Sequence, residues 1–379
     1  MGSFKMATKI YSGSKVIACL KDCHYQRVLI ICDPFMVISG MEKKVTAILS
    51  EAEIPYQLFS EIIPDPTIEV VTKGVAYAAS FQPDAIIALG GGSALDTAKA
   101  VRQIYQQVDN DTRVQLICIP TTSGTGSEVT SFAVISDPSV NGKYALVDDE
   151  MIPDIAILDP DFTLSVPSNV TADTGIDVLT HTLEAYVSTD ATDFTDACAE
   201  KAMRIIWQDL EKVVVNGENL ELREKIHNAS CLAGMAFSEA SLGICHSLAH
   251  ALGGRFHIPH GQANAILLPH VIGFNAGIES EKDTPALKKY AEAARLLGVQ
   301  SMTNRATVNL MIAGIQKMTR KFGVPKLITE LDIEEAAFVA AIPEMAEAAL
   351  KDKCTLTNPR KVTTKDLEDI YGRVCRGGR

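Results

Sequence analysis

The segment Gly175-Ile176-Asp177-Val178-Leu179-Thr180-His181 sets a carboxylate and an imidazole four residues apart in a strongly helical pattern. Helical spacing puts both on one face, with Cβ atoms roughly 5–6 Å apart, close enough to share a cation. His246-Ser247-Leu248-Ala249-His250 repeats the spacing with two imidazoles, and His257-Ile258-Pro259-His260-Gly261 follows as a loop fixed by Pro and Gly. Of the eight histidines, five lie between residues 246 and 270. Any one of them alone reads as a satisfied core or surface residue. Together, one carboxylate and several imidazoles without a thiolate suit a borderline divalent ion such as Fe²⁺ or Zn²⁺.

A second chemistry resides in two small-residue turns. The strand Asp84–Gly90 runs into Gly90-Gly91-Gly92-Ser93-Ala94-Leu95-Asp96, which passes directly into a helical pattern. Such a turn offers free backbone N–H groups and the positive end of a helix dipole, as a diphosphate requires. Leu95 stands where GxGxxG demands glycine and no GxxxxGK[ST] occurs, so neither common nucleotide fingerprint is present. The strand Val114–Pro120 leads into Thr121-Thr122-Ser123-Gly124-Thr125-Gly126-Ser127-Glu128, and two such loops at strand carboxyl ends mark where open α/β sheets bind ligands. Asp33, directly after the first apolar strand, is placed to accept from a ribose 2′-hydroxyl and to repel a 2′-phosphate, which favours NAD over NADP. The simpler alternative is that Asp33 starts a turn with Pro34. A cation beside a nicotinamide would polarise an alcohol or carbonyl oxygen while hydride passes between carbon and the ring.

These residues need elements to hold them. Up to about residue 168, short strands at Arg27–Cys32, Tyr56–Phe59, Asp84–Gly90, Val114–Pro120 and Ile155–Asp159 alternate with helical patterns, predicting a parallel sheet covered by helices. Ser131–Ser136 and Lys143–Val147 read as a hairpin, with Pro138 and Asn141-Gly142 supplying the turn. After Pro167-Ser168-Asn169, 3.6-residue periodicity predicts helices over 171–189, 193–214, 219–239, 241–256, 283–297, 304–322 and 333–350. The expected division is an α/β domain over 1–168 and an all-helical domain over 169–379, and a chain of 379 residues accommodates two domains.

Composition narrows the function classes. The net charge of −12, without a basic cluster, argues against nucleic-acid binding. No apolar run approaches the roughly 18 residues that span a bilayer. The N-terminus lacks an apolar signal core, and the nine scattered cysteines form no CxxC pair, so a cytoplasmic protein with reduced thiols is expected.

The runs Gly90-Gly91-Gly92-Ser93…Asp96…Ala98-Lys99, Pro120-Thr121-Thr122-Ser123-Gly124-Thr125-Gly126-Ser127-Glu128-Val129 and His246…His250-Ala251-Leu252-Gly253-Gly254…Pro259-His260-Gly261 resemble the iron-containing (group III) alcohol dehydrogenases over essentially the whole chain. Tyr11-Ser12-Gly13, Ile31-Cys32-Asp33, Pro64-Asp65-Pro66-Thr67-Ile68 and Asp193-Phe194-Thr195-Asp196-Ala197 resemble its 1-propanol dehydrogenase branch, that of propanediol-utilisation microcompartments. The resemblance implies a fold of class α/β plus all-α: a Rossmann-like NAD domain, then an all-helical metal domain, with the active site in the cleft between them. It implies metal ligation by Asp177, His181, His246 and His260, with His250 near the nicotinamide relaying the alcohol proton. It further implies NAD(H) contacts from Gly91, Gly92, Ser93 and Asp96 at the pyrophosphate, from Thr121, Thr122 and Thr125, from Lys143 at a ribose and from Asp33. Asp65 departs from the family pattern, where many relatives carry Asn.

The implied reaction interconverts a short-chain primary alcohol and its aldehyde, 1-propanol and propionaldehyde foremost, with Fe²⁺ and with Zn²⁺ or Co²⁺ also acceptable to the donor set. Lactaldehyde, 1,3-propanediol and glycerol remain alternative substrates; Phe132 and Phe237 are candidates for an apolar pocket or plain core. The resemblance implies a dimer or a multiple of dimers, and a microcompartment shell protein or aldehyde dehydrogenase as a neighbour. A lyase of the dehydroquinate-synthase type would need Lys or Arg beside the metal, whereas Ala233–Phe237 and Leu242–Cys245 are apolar. An idle NAD-binding scaffold is disfavoured because every expected ligand is present.

Overall fold

The computed structural model describes residues 4–108, 113–137, 142–278 and 283–376. Its chain divides into two compact units. One comprises Lys5–Pro167 and Asn216–Ser238; the other contains Phe4, Ser168–Val215 and the chain from Glu239 on.

The first unit is built on six parallel strands: β1 (Lys9–Ser12), β2 (Val28–Cys32), β3 (Tyr56–Phe59), β4 (Ala85–Gly90), β5 (Gln115–Pro120) and β8 (Ile155–Leu158), in the order β1-β8-β5-β4-β2-β3. β2, β4 and β5 are buried almost throughout, so they read as continuous apolar runs rather than alternating ones. Alternate residues nonetheless feed two separate cores. Leu29, Ile31, Ile86, Ala88, Leu116 and Cys118 pack on one face with residues of α3 (Ile68–Phe81) and α4 (Gly92–Val108). Val28, Ile30, Ile87, Leu89, Ile117 and Ile119 pack on the other with Met36 of α1 (Pro34–Ser39) and Val45, Ile48 and Leu49 of α2 (Glu42–Glu51).

From β2 the chain moves outward to β3 and then returns to place β4 on the opposite side of β2. The carboxyl ends of β2 and β4 therefore form the topological switch point, where doubly wound sheets leave a crevice for ligands. A separate antiparallel pair, β6 (Phe132–Asp137) and β7 (Gly142–Val147), matches the expected hairpin, with Phe132 opposite Val147 and Ser136 opposite Lys143. The turn expected at Pro138–Asn141 lies outside the described residues. β1 was not apparent in the sequence, because an exposed four-residue edge strand with one aliphatic residue carries little periodic signal.

The second unit holds α5 (Ser168–Val187), α6 (Asp193–Val215), α8 (Ile244–Phe256), α9 (His260–Asn275), α10 (Pro285–Leu296), α11 (Asn304–Lys321), α12 (Glu335–Lys351) and α13 (Thr364–Arg376). Close packing shows in the glycines: a Cβ on Gly175 would come 2.2 Å from Leu210 of α6, and one on Gly314 2.6 Å from the Trp207 ring.

Two features depart from the sequence expectation. His260 does not lie in a loop but opens α9, with Pro259 as its N-cap. This helix escaped notice because it is apolar on nearly all sides and carries Pro269, so it has no amphipathic stripe. Second, α7 (Leu220–Ala240) belongs mostly with the sheet rather than with the helices around it in sequence. Gly126, at φ 61°, admits the backbone of α7 so closely that a Cβ there would lie 2.6 Å from Gly234 Cα. Arg223 Nη2 donates to Val166 O at 2.8 Å, and Ser123 Oγ lies 2.9 Å from His227 Nδ1. Periodicity predicts that a segment is helical but not which core covers its apolar face.

Candidate metal centre and cofactor loops

In the helical unit, α5 projects Asp177, His181 and Glu184 from one face, α8 contributes His246 and His250, and α9 contributes His260 and Asn264. One donor atom from each of Asp177, His181, His246 and His260 lies within 4.8 Å of the others. Asp177 Oδ1 is 3.9 Å from His181 Nε2, 3.5 Å from His246 Nε2 and 3.6 Å from His260 Nε2. Donors on a tetrahedral ion, at bonds of roughly 2.0–2.1 Å, stand about 3.4 Å apart, so a small contraction would seat one. The His181 and His246 rings stack with centroids 4.6 Å apart.

The surroundings fit a cation as well as the spacing does. His246 Nδ1 meets Glu184 Oε2 at 2.5 Å, while its buried Nε2 has no hydrogen-bond partner and is directed toward Asp177. A carboxylate on one ring nitrogen fixes the tautomer and frees the other nitrogen for a metal. Two buried carboxylates, Asp177 and Glu184, share this cluster with the imidazoles of His181, His246 and His260. Burial pushes His181 down to about 3. His246, although buried, is raised to about 9 by Asp177 and Glu184, the response of a site that calls for positive charge. Burial alone would raise the Asp177 carboxyl; His181, His260 and His246 hold it far below the usual carboxylate range.

Sequence reading missed three residues of this region. Glu184 falls one turn beyond His181, and its Oε1 also accepts from Cys245 N at 2.7 Å, joining α5 to the start of α8. Asn264, one turn beyond His260, donates from Nδ2 to Asp177 Oδ1 at 2.7 Å. Both carry a helical-spacing signal that a search for ligands alone overlooks. Asp352, which meets His250 Nδ1 at 2.9 Å, carries none, being 102 residues away.

In the sheet unit, the switch point brings Asp33 and the two small-residue loops together. A Cβ on Gly90, whose φ is 153°, would lie 3.1 Å from Asp33 Oδ2. Asp33 is also the N-cap of α1: its Oδ1 accepts from Met36 N at 3.2 Å, leaving Oδ2 toward the glycine loop. Thr121 N donates to Gly90 O at 3.0 Å. A Cβ on Gly91 would meet Thr122 Oγ1 at 3.4 Å and one on Gly92 would meet Thr125 Cγ2 at 2.8 Å, so the two loops touch through small residues. Ser93 lies in the first turn of α4, its carbonyl accepting from Thr97 Oγ1 at 2.7 Å.

Asp96 stands apart from these, since both its oxygens are engaged within the chain, accepting from Ser127 Oγ at 2.6 Å and Val134 N at 2.9 Å. Beneath it, fully buried Lys99 donates to Phe132 O at 2.7 Å and lies 3.1 Å from Thr130 Oγ1. These two side chains tie the glycine loop to the second loop and the hairpin. Lys143 is on β7 opposite Ser136, and its side chain lies outside the described residues. Asp65 has φ 54°, a left-handed conformation that Asp tolerates. The Phe132 and Phe237 rings lie 6.4 Å apart, tilted. All nine cysteines are free thiols.

Residues 7–160 match the model of the iron-containing alcohol dehydrogenase family, and residues 171–375 match that of its C-terminal region. The chain is 46% identical to 1-propanol dehydrogenase PduQ of Citrobacter freundii over 372 residues, covering 98% of this chain and 99% of that one. It is 45% identical to the PduQ of Salmonella typhimurium with the same coverage. An iron-containing alcohol dehydrogenase from Thermococcus thioreducens superposes with a TM-score of 0.90 at 32% identity, covering 99% and 100% of the two chains. A sulfoacetaldehyde reductase from Bifidobacterium kashiwanohense, solved with NAD⁺, superposes with a TM-score of 0.87 at 25% identity, covering 100% of both. With its parallel sheet, its helical unit and its Asp/His cluster, the chain belongs to the iron-containing alcohol dehydrogenase family, oxidoreductases acting on the CH–OH group.

Proposed function

We propose that the protein is an NAD(H)-dependent, iron-loaded dehydrogenase that interconverts 1-propanol and propionaldehyde, with aldehyde reduction as the working direction. The observation that carries the reading is the cluster of buried Asp177, His181 and His246 with exposed His260, and with Glu184 bonded to His246 Nδ1. These four would hold Fe²⁺, and Zn²⁺ also suits their donor set. When bound, the ion supplies Lewis acidity that stabilises charge developing on the substrate oxygen during hydride transfer.

The protein's own residues do the rest. Asp177 and the three imidazoles bring one negative charge to a divalent cation, leaving net positive charge for an oxygen to meet. Glu184 and Asn264 hold the ligand set in place before substrate arrives, so little reorganisation is needed during reaction. The glycine loop at the start of α4 and the Thr121–Thr125 loop would take the cofactor diphosphate on backbone N–H groups, with Asp33 on the adenosine ribose and Lys143 on a ribose. Asp96 and Lys99 keep these loops in register rather than facing solvent. His250 would pass a proton between substrate and solvent.

The full-length similarity to two PduQ proteins supports the propanol assignment and a place in a microcompartment, with a dimeric assembly and a shell or aldehyde dehydrogenase neighbour. Among the described residues no helix is long and apolar enough to cross a membrane. The test is anaerobic NADH oxidation by metal-stripped protein given back Fe²⁺ or Zn²⁺, with propionaldehyde, acetaldehyde, lactaldehyde and 3-hydroxypropionaldehyde. Fe²⁺-dependent turnover fastest with propionaldehyde and lost in His260→Ala is expected. NADH binding without turnover of any carbonyl would overturn the proposal.

A further inference from the structure

Asp352 follows α12 and caps the short 3-10 turn Lys353–Thr357, far in sequence from the metal cluster yet bonded to the helix that carries part of it. Its Oδ1 accepts from Cys354 N at 2.8 Å and from Ser247 Oγ at 3.3 Å, and its Oδ2 lies 2.9 Å from His250 Nδ1. Thr355 Oγ1 lies 2.8 Å from Ser247 Oγ and donates to Ala349 O at 2.7 Å, so the carboxylate is braced from α8 and from the end of α12. The ring it holds stacks on His260, with centroids 5.4 Å apart and planes 18° apart, and its edge lies toward His246 with centroids 6.1 Å apart.

We infer that Asp352 is a positioning residue that fixes both the rotamer and the tautomer of His250. An ionised carboxylate can only accept, so the proton of neutral His250 must sit on Nδ1 and the lone pair on Nε2. A free imidazole favours the opposite arrangement, with the proton on Nε2. Without Asp352 the ring would turn freely, and neutral His250 would lack on Nε2 the lone pair that must take up a proton before passing it to the substrate oxygen. The same device appears at Glu184 and His246, but there the freed nitrogen faces the metal donors, whereas at His250 the side chain is 41% exposed and can exchange protons with solvent. This inference rests on the proposed dehydrogenase reading for its functional consequence, though not for its geometry.

The test uses full-length protein loaded with Zn²⁺, which is diamagnetic. Nitrogen-15 NMR of the His250 ring at alkaline pH is expected to show the Nδ1–H tautomer in the wild type and the Nε2–H tautomer in Asp352→Ala. Asp352→Ala should lower kcat for aldehyde reduction by about 10–100-fold at unchanged Zn²⁺ content and nearly unchanged KM, with little further loss when combined with His250→Ala. An Nε2–H tautomer in the wild type overturns the inference, and so does a tautomer unaltered by the substitution. A second equivalent of Zn²⁺ bound through His250, Asp352 and Cys354, and lost in Asp352→Ala, also overturns it, because Nδ1 would then be a ligand. Should Asp352→Ala not fold, Asp352→Asn, which cannot satisfy all three donors as an acceptor, and the wild-type spectrum supply the readout. An Nδ1–H tautomer in a protein that turns over no aldehyde would sink the dehydrogenase reading while leaving the positioning role supported.

Discussion

Glu184→Gln is nearly isosteric, yet it should loosen the metal. Glu184 is 2% exposed and uses its two oxygens on two different donors, His246 Nδ1 at 2.5 Å and Cys245 N at 2.7 Å. Glutamine keeps one acceptor oxygen and replaces the other with an NH₂ group, so one of those donors must face another donor. If the amide oxygen stays on Cys245 N, the NH₂ group favours the His246 tautomer protonated on Nε2, which blocks the nitrogen that faces Asp177. If it turns to His246, a buried N–H at the start of α8 loses its partner. Gly243 leaves no room for retreat, since a Cβ there would already lie 2.7 Å from Glu184 Oε1. Loss of a carboxylate behind a ligating histidine costs about 10–100-fold in metal affinity, or roughly 1.4–2.8 kcal/mol. The assay is competition between the protein and a chromophoric chelator for Zn²⁺, with circular dichroism confirming the fold. A dissociation constant within twofold of the wild type would refute the reasoning, because it would mean that His246 keeps its tautomer without the carboxylate.

Four further outcomes are expected. Removing the metal should lower the melting temperature, and adding free Zn²⁺ at a hundredfold over its dissociation constant should restore about 2.7 kcal/mol; a melting curve indifferent to metal would contradict a site formed only in the folded state. Gly234→Ala would set a Cβ 2.8 Å from Gly126 O, a backbone atom with little freedom to move, and should cost about 1–3 kcal/mol in urea unfolding, while a change below about 0.5 kcal/mol would refute the close approach. Asp33→Asn keeps the α1 cap but removes the charge, so the ratio of kcat/KM for NADPH to that for NADH should rise about tenfold; an unchanged ratio would remove Asp33 from the cofactor site. Burial raises the Glu128 carboxyl from 4.5 to about 7. The folded state therefore binds more protons than the unfolded chain between these values, and stability falls as pH rises from below 4.5 through 7, by roughly 3 kcal/mol. Urea unfolding at pH 5 and pH 8 should show this fall in the wild type and lose it in Glu128→Gln; equal pH dependence in the two proteins would exclude Glu128 as its source.

Much of the fold is legible in the sequence. Tyr56–Phe59 is found where its aromatic residues put it, and the paired spacing of Asp177 with His181 and of His246 with His250 survives because helix geometry is local. Glycine turns after apolar strands likewise announce themselves, since backbone N–H groups at a helix start depend only on neighbouring residues. What failed was whatever lacked a local period. α9 is apolar on nearly every side, β1 is a short exposed edge, and α7 carries the same helical signal whether it covers a sheet or joins a bundle.

The sequence by itself determined the residue types, the helices that present Asp177, His181, His246 and His250, and the strand ends that bear the loops, because these follow from backbone propensity, short apolar runs and the 3.6-residue period. It could not decide which carboxylate stands behind each imidazole. That Glu184 backs His246, 62 residues on, and Asp352 backs His250, 102 residues away, depends on how α5, α8 and the end of α12 pack. Tautomers and buried charges are set by whatever lies within about 3 Å in space, and only the tertiary structure brings distant segments that close.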